Sequence, residues 1–258
     1  MVSVALLSAK GSPGCTTAAL ALSTAWPSVH ESRRILIAEC DPAGGDIASG
    51  YLRASLDGSR GLAALAAHRA SDPAAAVWEQ VLALDDDGRR LLLPGLTDPR
   101  QAIGLSSAWS NLAIAIEDLA SQDPPIDVVV DLGRMRTAHE PVLVRQAVDL
   151  VVLVTRSTLS AIVAARAAAA ELAADERTPP TVCLVVGEGR PYSAAEISEA
   201  IGLPVIGVLP YDGPSAAAFC SGAVAGRRLS RLPLLRAAGG LAADLLAERV
   251  EVVGAAHG

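Results

Sequence analysis

Lysine is almost missing from this chain. Of its 21 basic residues only Lys10 is lysine, and the others are arginine. Aromatic residues are scarce at 3%, so any core must be built from Leu, Val, Ile and Ala. The cysteines Cys15, Cys40, Cys183 and Cys220 are scattered and form no CxxC pair, which argues against a zinc site and against a disulfide framework. No uninterrupted apolar stretch reaches the ~18 residues of a membrane span. Ala147 to Val154 is apolar but short, and it contains Asp149. The amino end lacks the basic region of a secretory leader, and Lys10 interrupts its apolar run. A net charge of −7 argues against a general binder of nucleic acid or anionic membrane. The expectation is a soluble, cytoplasmic protein with no integral membrane segment.

What is present is a regular alternation of short apolar runs and helical patterns. That is the signature of a mostly parallel sheet covered on both faces. Strands are expected at Val2–Leu7, Ile35–Glu39, Arg90–Leu93, Asp127–Asp131, Leu150–Thr155, Thr181–Val186 and Val205–Val208. Helices are expected at Thr17–Trp26, Leu62–Ala67, Ala74–Leu84, Ser106–Ala120, Ser160–Ala174, Ser193–Ala200 and Leu234–Val250, with Pro27 ending the first. The fold class is therefore α/β: a single doubly wound, seven-stranded domain spanning all 258 residues. The run Asp85-Asp86-Asp87-Gly88 reads as a solvated turn.

The chain is organised around Ser8 to Thr17, SAKGSPGCTT, between the first strand and the first helix. Glycines let a backbone curl so that its N–H groups converge on an anion at a helix N-terminus. Strand, Gly-rich turn and helix in that order are the context of a phosphate-binding loop. Thr16 or Thr17 can offer a hydroxyl to Mg²⁺. A standard loop of this kind ends Gly-Lys-Ser/Thr, and here Cys15 occupies the lysine position. The one lysine stands at the head of the loop instead, where a compact ammonium on a flexible stem suits a phosphate. Two more stretches place carboxylates at strand ends, where ligands bind in open α/β sheets. These are ILIAECDPAGGD, with Glu39 and Asp41, and DVVVD, ending in Asp131.

These motifs resemble the MinD/ParA family of ATPases, whose loops read KGGxGK[ST]. Lys10, Gly11, Gly14 and Thr16 match; Ser12 and Cys15 depart. The resemblance covers nearly the whole chain and is nearest to the CpaE/TadZ-like branch, which helps to assemble Tad-type pili. It implies ATP and Mg²⁺ as cofactors, with nucleotide held by Lys10, Gly11, Ser12, Pro13, Gly14, Cys15, Thr16 and Thr17. Pro210 and Asp212, in a Leu-Pro-x-Asp turn, would lie against the adenine. Asp131, Thr16 and Glu39 would serve the metal. Lys10, reaching across a dimer, and Asp41, positioning water, would be the catalytic pair. Relatives often carry an Asn that reads the base where this chain has Gly187-Glu188-Gly189, so ATP over GTP is inherited from the family.

The resemblance further implies a nucleotide-dependent homodimer that positions a protein partner such as a pilus or secretion apparatus. A charge-assisted hydrogen bond contributes roughly 1.5–3 kcal/mol. Loss of the loop lysine should then weaken binding by about ten- to a hundredfold and impair hydrolysis more, since developing charge needs compensation. Weak or absent turnover is expected. Three alternatives remain. A ParA-type DNA partitioner would use Arg227, Arg228, Arg231 and Arg236, though a solvated helix edge suits those residues better. A membrane-cycling protein would need a basic amphipathic tail, whereas Leu241 to Val253 carries Asp244, Glu248 and Glu251 beside Arg249 alone. A pseudo-ATPase would act purely through protein contacts. Arg134 and Arg136 read as solvated, and a regulatory disulfide between Cys15 and Cys40 is disfavoured against a small residue filling space.

Overall fold

In the computed structural model, which describes residues 1–54, 59–67, 72–119, 124–221 and 232–256 with side chains to 247, all the strands join one sheet. Their sequence order explains its shape. The strands β1 (Ser3–Ser8), β2 (Arg34–Glu39), β4 (Arg90–Leu93), β5 (Ile126–Arg134), β6 (Leu150–Arg156), β7 (Thr181–Val186) and β8 (Val205–Leu209) are the seven expected. An eighth, β3 (Leu82–Ala83), is two residues long and pairs antiparallel with β4. The order across the sheet is β3-β4-β2-β5-β1-β6-β7-β8, and every pair but β3–β4 is parallel.

Successive residues of a strand face opposite sides, and here both sides are buried. Ala5 and Leu7 of β1 lie in one apolar layer with Leu36, Val128, Val130 and Leu153. That layer is covered by α2 (Leu62–Ala67), α3 (Pro73–Gln80), α4 (Ser106–Leu119), α5 (Val142–Gln146), α6 (Leu159–Ala174) and α7 (Ala194–Ile201). Val4 and Leu6 join Ile35, Ile37, Val129 and Val152 on the other side. There α1 (Cys15–Val29), α8 (Gly213–Ser221) and α9 (Pro233–Ala256) close the core. Aliphatic strands buried on both faces are what a doubly wound parallel sheet requires.

Several boundaries differ from expectation for local reasons. Pro27 sits inside α1, which runs on to Val29. The Arg89 guanidinium donates to the carbonyls of Pro27 at 2.8 Å, His30 at 3.2 Å and Glu31 at 2.8 Å, satisfying acceptors that a helix end leaves open. The helix expected over Ala74–Leu84 stops at Gln80, and the chain then extends to pair as β3. Asp72 caps α3 by accepting from the Ala75 amide at 3.1 Å. Asp85 accepts from the amides of Arg89 and Arg90, so the acidic run is a turn, as expected.

The end of the sheet opposite the loop is fixed by Asp127, which is fully buried. It accepts from the Val2 amide at 2.6 Å, from Trp26 Nε1 at 2.9 Å, and from Arg33 Nε and Nη2, each at 2.6 Å. One carboxylate thus ties the start of β1, the last turn of α1 and the entry to β2. Removing one partner of a buried pair costs about 3–5 kcal/mol. Asp127→Ala should therefore lower the urea midpoint by an equivalent amount, and a loss below about 1 kcal/mol would show that this anchor is dispensable.

Candidate functional site

The loop between β1 and α1 makes its turn through Gly11 at φ 74°, Ser12 at φ 44° and Gly14 at φ 112°. Gly14 is the residue preceding α1, and no side chain among the described residues caps that helix. The first amides of an α-helix have no partner within the helix, and they carry the positive end of its dipole. Here they open onto a cavity of about 230 Å³, lined by Ser12, Gly14, Cys15, Thr16, Thr17, Asp41, Asp46 and Arg134 among others. A second cavity of about 200 Å³ shares Ser12, Gly14 and Thr17. It runs on past Pro13 and Arg156 to Pro210, Tyr211 and Asp212. An uncapped N-terminus, a curled loop and two adjoining hollows suit a bound polyphosphate with its base lying beyond.

Thr16 Oγ1 donates to Asp131 Oδ2 at 2.5 Å, and the Gly133 amide donates to Asp131 Oδ1 at 3.0 Å. A hydroxyl and a carboxylate held together beside the helix N-terminus are hard oxygen donors of the kind Mg²⁺ takes. Asp131 is fully buried, and burial pushes its pKa up to about 6, with Asp41 and Asp46 adding to the rise. Asp41 lines the first cavity and accepts from the Ala43 amide at 2.7 Å. Burial raises its pKa as well. Its carboxylate lies against Gly133, which has φ 64°, and a Cβ at that position would overlap it.

Glu39 does something different from what the motif suggests. Its carboxylate accepts from the amides of Asp46 at 2.7 Å, Ile47 at 2.9 Å and Gly95 at 3.1 Å. It is buried and absent from the cavity lining, and burial raises its pKa to about 7. Both oxygens are engaged in stapling the loops after β2 and β4, and the carboxylate is not part of the cavity lining beside Thr16. The extra methylene of Glu over Asp is accommodated because Gly45 and Gly95 are glycines. A Cβ on Gly95 would come within 2.8 Å of Glu39 Cγ, and one on Gly45 would overlap the carboxylate. The Gly44-Gly45-Asp46 run thus makes space for this staple.

Cys15 is buried with its thiol 3.8 Å from the Gly133 carbonyl, to which it donates. Burial, and after it the Asp131 charge, hold the thiol well above its usual pKa. Cys40 is buried too, and its pKa is likewise raised, first by burial. Both are free thiols, and neither environment favours a reactive thiolate. Lys10 and Gly11 are exposed and lie outside both linings. Pro210 and Asp212 line the second cavity. Asp212 also caps α8, accepting from the Ser215 amide at 3.2 Å and from its hydroxyl. Gly187 has φ 76° and packs so closely on Tyr211 that a Cβ would come within 2.9 Å of the Tyr211 Cβ, so no base-reading side chain fits there.

Arg134 and Arg136, read as solvated, part company. Arg134 lines the first cavity, whereas Arg136 pairs with Glu171 at 2.6 Å on the surface of α6. Arg227, Arg228 and Arg231 lie outside the described residues. Tyr211, Phe219 and Arg156 were not singled out in the sequence, yet they line the two cavities. Among the described residues no helix is long and apolar enough to cross a membrane, and no cluster of three or more His, Cys, Asp or Glu forms a ready metal site.

The two buried acids carry a stability signature. A carboxyl whose pKa is higher in the folded chain than in the unfolded one binds its proton more tightly when folded. Folding is then favoured at acid pH and loses stability as pH rises. The window runs from the ordinary values of 3.8 and 4.5 to about 6 for Asp131 and about 7 for Glu39. Asp131→Asn should raise the stability of the ligand-free protein at pH 7.5 by about 1–3 kcal/mol and flatten its fall between pH 4 and 7. A variant less stable than the parent at pH 7.5 would contradict this assignment.

No model of a known protein family matches the sequence, and neither does any curated protein. Solved structures do. A ParA family ATPase from Chlorobium tepidum TLS has a TM-score of 0.75 at 16% identity, over 93% of this chain and 97% of that one. The MinD cell division protein of Aquifex aeolicus has a TM-score of 0.73 at 16% identity, over 96% and 98%. The septum site-determining protein MinD of Pyrococcus horikoshii OT3, complexed with Mg-ADP, has a TM-score of 0.71 at 16% identity, over 93% and 94%. Over most of its length this chain has the helix-covered, mostly parallel sheet of these MinD and ParA structures.

Proposed function

We propose that this protein is a MinD/ParA-like nucleotide switch. It binds Mg·ATP at the loop between Ser8 and Thr17, dimerises around it, and positions a protein partner while turning over slowly or not at all. The observation that carries the reading is the uncapped N-terminus of α1, opening at Gly14 onto a cavity beside the Thr16–Asp131 pair. Loop amides would hold the phosphates, Thr16 and Asp131 the magnesium, and Asp41 a water. Bound magnesium would supply neutralisation of phosphate charge. Glu39 is left out of that set, because its oxygens serve the loops.

Slow turnover follows from the cavity wall. Three carboxylates, those of Asp41, Asp46 and Asp131, stand in or behind it, and Cys15 brings no charge to the position of the usual lysine. Lys10, exposed at the head of the loop, would act on a partner protomer's nucleotide. The partner complex of a CpaE/TadZ-like protein would be a pilus or secretion apparatus. The same acidic wall favours, as a second reading, a pseudo-ATPase whose site no longer takes nucleotide. DNA partitioning has less support, since the chain carries a net charge of −7 and an acidic balance disfavours a nucleic-acid face.

Mass measured by light scattering separates these readings. With Mg·ATP the mass should double, Lys10→Ala should abolish the doubling, and phosphate release should stay at background. Brisk ATPase activity would show that the loop does not need its lysine. A mass unchanged by millimolar ATP would favour the pseudo-ATPase.

A further inference from the structure

The missing lysine leaves a question of charge that the sheet itself answers. Strands β1 and β6 lie side by side in register, with Val154 opposite Ser8, the last residue of β1. Thr155 and Arg156 therefore run on beside the loop, and Arg156 ends the strand. Its side chain reaches the loop directly, with Nη2 donating to the Ser12 carbonyl at 3.2 Å. Its Cζ stands 5.4 Å from the centroid of the Tyr211 ring, a distance at which a cation is attracted to an aromatic face. Arg156 lines the second cavity together with Ser12, Gly14 and Thr17.

Two features mark this guanidinium as held ready for an anion. Its Nε is shielded from solvent and has no hydrogen-bond partner among the described residues, and an unsatisfied donor of this kind calls for an explanation. The surrounding charges are also uneven. Among the described residues the one carboxylate in the lining of the second cavity is Asp212, whose oxygens accept from Ser215. The first cavity holds Asp41 and Asp46 against Arg134 alone. Arg156 is thus a cation fixed on the loop backbone, on the less acidic side of the site, with donors left over.

We infer that Arg156 supplies the phosphate-binding charge that Cys15 cannot, holding the nucleotide's phosphates from the β6 side of the loop. The inference rests on the nucleotide reading above and assigns the cation of that same site. The planar fork of an arginine matches phosphate oxygens pairwise, and the Tyr211 ring, which Arg190 also approaches, lies 5.4 Å from its Cζ. A loop so equipped binds without the standard lysine. Its cation would sit over the phosphates on the base side, where binding is served more than cleavage.

Titration of the full chain with Mg·ATP, for the parent, Arg156→Gln and Arg156→Lys, tests this. Lys retains the charge and a donor on a long stem, Gln is shorter and drops the charge, and thermal melts confirm that each variant is folded. The expected result is affinity weakened about tenfold or more in Arg156→Gln and weakened clearly less in Arg156→Lys, which keeps the charge and gives up the bidentate fork. Equal losses in both variants would make Arg156 a prop for Ser12 and Tyr211 and overturn the inference. So would an Arg156→Gln protein that binds like the parent. A parent that binds no ATP at millimolar concentration would fail differently, overturning the nucleotide reading and this inference with it.

Discussion

The hydrogen bond from Thr16 to Asp131 joins the first turn of α1 to the end of β5, and the geometry of the site depends on it. Asp131 is a buried carboxylate, and burying a charge is unfavourable unless donors surround it. Thr16 and the Gly133 amide are those donors. Gly133 in turn leaves room for Asp41, because a side chain there would overlap that carboxylate. One step away in the sheet Glu39 lies in register with Asp131, and it binds the loops after β2 and β4 through three amides. Burial first, and then neighbouring acids, raise the pKa of Asp131 and of Glu39. That arrangement is unfavourable for the ligand-free fold and makes sense where a cation is to be received.

Much of this was legible in the chain. Runs such as Val128 to Val130 and Leu150 to Val154 are apolar without alternation, which means strands buried on both faces, and the Gly-rich turn after β1 marked the site. What stayed hidden was set by contacts distant in sequence. Pro27 should have ended α1, but Arg89, on a different strand's approach, supplies the donors that let the helix continue. The two residues of β3 carry no periodicity to read. The helix α8 opens with Gly213-Pro214, which reads as a turn until Asp212 is seen capping it. Glu39 matches a metal-associated position by motif, and only the packing of Gly45 and Gly95 around it shows a staple. Arg156 was invisible for the same reason: its relation to the loop is lateral, through the pairing of β6 with β1.

The arginine bias takes on meaning at this point. Arginine spread through a chain says little by itself, but each of three arginines near the sheet ends has a distinct task. Arg33 neutralises Asp127, Arg89 closes α1, and Arg156 holds the loop at Ser12. Lys10 remains apart from them, exposed at the head of the loop. A compact, mobile ammonium suits contact with a second molecule, whereas planar guanidinium groups suit fixed positions.

The central claim is that the uncapped end of α1 is a nucleotide site. Calorimetric titration of the ligand-free protein with ATP, in Mg²⁺ and again in excess chelator, addresses it most directly. The account predicts saturable binding in the micromolar range with Mg²⁺ that weakens sharply in chelator, because the oxygens of Thr16 and Asp131 act through the metal. No heat at millimolar Mg·ATP, or binding indifferent to chelation, would contradict it.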